Sequence, residues 1–161
     1  MDPATGAQTL VSTDINTAGA NNPVKYFAGS LWGVHEANNK VNRIDPTSGT
    51  TLASITGTVG SRYGLGVGGG YVFACGERGV MQIDPATNTV TKNLHLPRFI
   101  RGASNTYACG ASGVIVIDYI NQTFEEIILD AAETKCVRAL PNGQIVAGAY
   151  AAPWMHVLET A

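Results

Sequence analysis

Val41 to Gly49 reads VNRIDPTSG, and Val80 to Asn88 reads VMQIDPATN. A third version, Val114 to Asp118, is VIVID, and a degraded fourth, Met155 to Glu159, is MHVLE. The acidic anchors Asp45, Asp84, Asp118 and Glu159 stand 39, 34 and 41 residues apart. A period of that length marks propellers and solenoids, whose repeated unit cannot bury its apolar face alone and must stack on its neighbours.

Working outward from the phrase, each unit divides the same way. A first run is VKYFAG, GLGVGG, FIRGAS or CVRALPNG; a second is SLWGVHE, YVFACGE, NTYACGA or QIVAGAY. The Val-x-x-Ile-Asp run is third, and a fourth follows a turn: TTLASITG, NTVTKNLHL, QTFEEIILD. These runs are short, rich in β-branched and aromatic residues and separated by turn formers, which predicts four antiparallel strands per unit and no helix. The one helix-like window, FEEIILDAAETK, reads as an outer strand followed by a loop. In the turn after the third strand, the Asp side chain can accept backbone amide hydrogen bonds, Pro presets φ, and Gly or Asn tolerates positive φ.

Met1 to Gly6 reads MDPATG, so the chain opens inside the phrase that it later repeats whole. Residues 2–15 then read as a fourth strand without its first three, and the last unit as three strands without a fourth. The expectation is an all-β, four-bladed β-propeller of 1–161, with blades near 21–58, 62–97, 98–132 and 134–161 plus 2–15. The N-terminal strand would complete the C-terminal blade and leave no orphan edge. Two chains exchanging end strands to make eight blades satisfy the same sequence.

Composition sets the outer bounds. The 161 residues suffice for a single domain with a substantial core. They are 45% hydrophobic and 14% charged, which excludes a disordered chain. The formal net charge of −2 argues against a wholesale nucleic-acid or polybasic membrane binder. No apolar run reaches the length of a membrane span, no export signal is legible at the start, and the sequence assigns no compartment. The three cysteines, Cys75, Cys109 and Cys136, are an odd number without a C-x-x-C pair. Cys75 and Cys109 fall at the same place in FACG and YACG, which predicts small buried residues on matching strands, with a disulfide or redox role as the alternative.

The stretches GSLWGVHEANNKVNRIDPTSGTTLASI (29–55) and GGYVFACGERGVMQIDPATNTVTKNL (69–94) resemble the blade consensus of the YVTN, NHL and virginiamycin-B-lyase-like propellers. The resemblance implies the blade fold across nearly the whole chain and leaves function open, because such blades serve lyases, lactonases, scaffolds and binding proteins. The lyase-like members would imply metal-assisted chemistry by His and acidic residues at the ring top. No stretch here matches that catalytic motif.

Aligning the innermost strands on Val24, Leu65, Ile100 and Val137 places Lys25, Gly66, Arg101 and Arg138 next, with Arg62, Arg98 and Lys135 just upstream. These are six of the ten basic residues. Inner strands converge on a propeller axis, so the sequence predicts a basic end or channel on a mildly acidic body. Converging cations need carboxylates or a bound anion, and Arg forks suit phosphate, sulfate or carboxylate oxygens. The binding residues expected are Lys25, Arg62, Arg98, Arg101 and Arg138, facing an anionic ligand or a protein partner. Pairing with neighbouring acids or plain exposure to solvent is the opposing reading. His35, His95 and His156 occupy different strand positions and lack metal-ligand or nucleophile–base spacing. His35 with Glu36 is the most site-like pair for acid–base work in the alternative of a small lyase or hydrolase. Trp32, Phe73 and Tyr107 read as core between blades, while Tyr63, Phe99 and Tyr150 near loops leave a lectin-like role open. No cofactor or metal site is expected. GLGVGGG (64–70) echoes a nucleotide loop but has no helix after it. The reading is a non-catalytic binding or structural module, with packing into a surface layer or virion and homo-oligomer formation both open.

Overall fold

The computed structural model describes residues 24–35, 38–57, 62–96, 100–103, 107–110, 113–128, 134–140, 142, 144–149 and 155–158. Fifteen strands form four antiparallel sheets, and no α-helix occurs among the described residues. The first sheet holds β1 (Lys25–Phe27), β2 (Ser30–His35), β3 (Lys40–Ile44) and β4 (Thr51–Thr56). The second holds β5 (Arg62–Gly68), β6 (Tyr71–Gly76), β7 (Gly79–Asp84) and β8 (Thr89–His95). The third holds β9 (Ile100–Ala103), β10 (Tyr107–Gly110), β11 (Gly113–Asp118) and β12 (Thr123–Ile128). The fourth holds β13 (Thr134–Ala139), β14 (Ile145–Ala149) and β15 (Met155–Leu158). Every sheet runs in chain order, as successive hairpins dictate, and the fold is a four-bladed β-propeller. The window beginning at Phe124 is strand through Ile128, as the run predicts. The expected closing strand, residues 2–15, lies outside the described residues.

The Asp turns behave as their composition requires. Asp45 Oδ1 accepts the amides of Thr47 and Ser48 at 2.7 and 2.9 Å. Asp84 Oδ1 accepts the Ala86 amide at 2.8 Å, and Asp118 Oδ1 accepts those of Ile120 and Asn121 at 2.8 and 3.1 Å. Four residues after each Asp the backbone turns left-handed, at Gly49 (φ 73°), Asn88 (58°) and Gln122 (56°). Amide donation stabilises the ionised form, so the carboxyls of Asp45 and Asp118 are held below the usual aspartate range.

Alternation along the strands gives the second and third sheets two apolar faces, one toward the following sheet and one toward the preceding one. Trp32, Val34, Val41 and Ile55 of the first sheet cluster with Leu65, Val72, Ala74, Met81 and Ile83 of the second. Phe73, Cys75, Val80 and Leu94 on the second sheet's other face cluster with Ile100, Ala103, Ala108, Ile115 and Ile117 of the third. Val114 of the third meets Ile145 and Ala147 of the fourth, with Tyr107, Val137 and Leu158 against them. The core is thus three slabs between four sheets. Each fully buried large apolar side chain contributes roughly 1.5–3 kcal/mol.

The slabs are pinned at the Asp-turn end. Arg43 on β3 reaches into the next sheet's turn, donating to the Pro85 carbonyl at 2.7 Å and to Asn88 Oδ1 at 3.0 Å. Its guanidinium also donates to Ser30 Oγ at 2.9 Å and lies 5.4 Å from the Trp32 ring centroid. Tyr119, which stands where the other two turns have Pro, packs its ring 5.3 Å from that of Phe73 in the preceding sheet.

Candidate functional site

The hairpin registers fix which residues are equivalent. Val34, Cys75, Cys109 and Gly148 lie opposite Val41, Val80, Val114 and Met155. One strand further inward, Cys75 is opposite Gly64, Cys109 opposite Gly102, and Gly148 opposite Cys136. Leu65, Ala103 and Val137 are therefore equivalent, and Ile100, the anchor expected for the third inner strand, is not. A β-bulge is the reason. The registers slip between Arg62 and Gly64, between Ile100 and Gly102, and between Thr134 and Cys136. That leaves Tyr63, Arg101 and Lys135 as the unpaired residues of the inner strands of the second, third and fourth sheets. A bulge adds one residue without a partner, so counting apolar positions along the sequence loses register there.

The basic residues consequently occupy two levels. Lys25, opposite Trp32, shares its place with Gly66, opposite Phe73, and with Arg138, opposite Val146. Arg101 shares the bulge position with Lys135, and Arg62, opposite Gly76, immediately precedes the equivalent bulge. Three residues of strand, about 10 Å, separate the levels. The upper level adjoins the turns that join the second and third strands of each sheet, and the lower level lies toward the Asp turns. Arg101 and Lys25 are half-buried and Arg138 is exposed. Arg98 lies outside the described residues. Arg78, in the turn beside the Arg62 end of β5, is an exposed base at the upper level that the sequence did not single out. The exposed Glu77 beside it puts an acid at the same end.

Inner strands approach closely here. A Cβ built on Gly64 would overlap the Arg101 carbonyl of the next sheet and come within 2.6 Å of Cys75 Sγ. Glycine at this point lets β5 and β9 meet backbone to backbone, which carries the Arg101 main chain toward the second sheet.

His35 ends β2, half-buried, and its Nδ1 is buried without a hydrogen-bond partner; Glu36 lies outside the described residues. Among the described residues no three His, Cys, Asp or Glu side chains gather in a way that could hold a metal ion. Cys75 and Cys109 are buried at matching positions, Cys136 is exposed, and all three are free thiols. Burial, with Cys109 as the second cause, pushes the Cys75 thiol well up and makes it inert as a nucleophile. Trp32 and Phe73 are buried between blades and Tyr107 packs there half-buried. Phe99 and Tyr150 lie outside the described residues.

No protein-family model and no curated protein sequence matches the chain. Solved structures do. Hydrazine synthase of Kuenenia stuttgartiensis superposes with a TM-score of 0.66 at 15% identity, over 80% of this chain and 42% of that one. The WD40 β-propeller domain of Doa1 superposes with a TM-score of 0.67 at 16% identity, over 86% of this chain and 49% of that one. The chain thus spans less than half the length of either structure, and the likeness is one of fold: sheets of this size stacked in this order are propeller blades.

Proposed function

We propose that this propeller is a non-catalytic binding module whose inner-strand bases face an anionic ligand or an acidic partner protein. The observation that carries the reading is the repetition of bases at equivalent places on inner strands: Arg101 with Lys135 at the bulge, Lys25 with Arg138 below it. Arg62 and Arg98 belong to the same face in this reading. A WD40 propeller among similar structures fits a scaffold for protein partners by analogy of fold. The blade phrases at 29–55 and 69–94 support placement in the YVTN, NHL and virginiamycin-B-lyase-like group. One domain of four blades, near 21–58, 62–97, 98–132 and 134–161 plus 2–15, is part of the proposal, with residues 2–15 pairing beside β15.

Retention on an immobilised sulfated polysaccharide tests it. An Arg101→Ala/Arg138→Ala variant that keeps its thermal unfolding profile is expected to lose retention. Unchanged retention removes these residues from any binding role. One observation favours a second reading, the partnerless buried Nδ1 of His35 at the same end of the sheets. Divalent-metal-dependent lyase activity abolished by His35→Ala would establish that reading instead.

A further inference from the structure

Three of the four sheet faces that point along the arc are buried by the sheet that follows. Val41, Val80 and Val114 are fully buried in this way, whereas Met155, their equivalent in the fourth sheet, is 63% exposed. Val157, equivalent to Arg43, Gln82 and Val116, is 52% exposed. With Val146 and Gly148 these residues form an apolar face, edged by exposed Cys136 and Arg138. The other end of the arc is uncovered at its turn and margins. Pro85 is buried under Arg43 of the preceding sheet and Tyr119 is half-buried against Phe73, but Pro46, at the same place in the first turn, is exposed. On the same backward face of the first sheet Tyr26 is 67% exposed and Leu52 51%, around a middle at Asn42 and Ile44 that is already buried. Among the described residues β1 packs on β2 and β5, and β13 on β14, β9, β10 and β11; no comparable packing joins the fourth sheet to the first.

We propose that the forward face of the fourth sheet docks the first sheet of a second copy, and that two copies close one ring of eight sheets. The occupant follows from continuity: each equivalent face takes the backward face of a propeller sheet, and the chain's own first sheet presents such a face with its turn uncovered. Val157 would stand over the partner's Pro46 as Arg43 stands over Pro85. Two chains related by a two-fold axis along the ring make this contact twice and leave no sheet unstacked. Eight blades lie within the usual size of such rings.

Light scattering after size exclusion, across a concentration series, reads the outcome. The chain is expected at twice its 16.8 kDa mass, and Met155→Asp/Val157→Asp, placed on an exposed face, at the single mass with unchanged circular dichroism. Cys136 supplies a second readout on the unmodified chain, because it lies on the docking face while Cys75 and Cys109 are buried. Its reaction with a maleimide is expected to slow at least tenfold as concentration rises. A single mass at all concentrations overturns the proposal, whether Cys136 reacts freely or is shielded by closure within one chain. So does a double mass that survives Met155→Asp/Val157→Asp in the folded variant. Should that variant unfold, concentration-dependent protection of Cys136 decides alone. Polyanion retention by the single-mass variant keeps this result separate from the fate of the basic face.

Discussion

At Gly64 the absence of a side chain is what lets two blades meet, since a methyl group would occupy the place of the Arg101 carbonyl. Backbone cannot rotate away as the tip of a flexible side chain can. Gly64→Ala is therefore expected to lower stability by about 1–3 kcal/mol, the usual cost of overpacking, in urea unfolding followed by tryptophan fluorescence. Wild-type stability in that variant would mean that β5 and β9 do not approach as described. Asp45 and Asp118 carry a different dependence. Both are ionised in the fold at pH values where a free aspartate, with its pKa of about 3.9, begins to protonate, because turn amides stabilise the charge. Their contribution is complete above that ordinary value and disappears as pH falls through the lowered one. Asp45→Asn/Asp118→Asn should thus flatten the acid limb of a plot of melting temperature against pH, the two proteins converging at the most acid end. Parallel acid limbs would exclude these turns as its source.

Between elements, Arg43 does what apolar packing cannot: its Nη1 ties β3 to the turn of the next sheet by donating to both Pro85 O and Asn88 Oδ1, while its Nε donates to Ser30 Oγ of its own sheet. Arg43→Ala is expected to cost about 1–2 kcal/mol, the loss of a charge-assisted pair at a partly buried site. Arg43→Lys should recover only part of this, since a single ammonium cannot serve the turn acceptors and Ser30 Oγ together while lying flat on Trp32. Full rescue by Lys in thermal unfolding would reduce the interaction to charge alone. The strands and turns here were legible from sequence because Val41, Val80 and Val114 repeat with their Asp residues and each period-2 run has one outcome. The equivalence of Trp32, Phe73 and Tyr107 was legible for the same reason. The inner strands were not. Their bulges at Tyr63, Arg101 and Lys135 leave no compositional mark, so Ile100 passed for the equivalent of Leu65 when Ala103 holds that place. Arg78 escaped notice because a turn residue has no periodicity to betray it, and only the register of Arg62 with Gly76 shows which end it joins.

On the scale of the whole molecule, a net charge of −2 repels polyanions at long range, so the anion binding proposed above would have to come from bases concentrated at one end. The two levels on the inner strands make unequal candidates. The upper one gathers Arg62, Arg101 and Lys135 from three consecutive sheets beside the turn that holds Arg78, whereas the lower has Lys25 and Arg138 on the first and fourth sheets with Gly66 between. Adjacent sheets can share one ligand; sheets one and four of a single chain cannot share it as closely. Arg101→Ala alone should therefore weaken polysaccharide binding about tenfold, equivalent to one charge-assisted hydrogen bond of about 1.5 kcal/mol, and Arg138→Ala alone should do far less. Raising salt from 0.1 to 1 M shortens the screening length from about 10 to about 3 Å, and should abolish what binding remains in both variants. Equal losses from the two substitutions would move the ligand to the middle of the strands, and salt-insensitive binding would mean that the bases are not what the ligand reads.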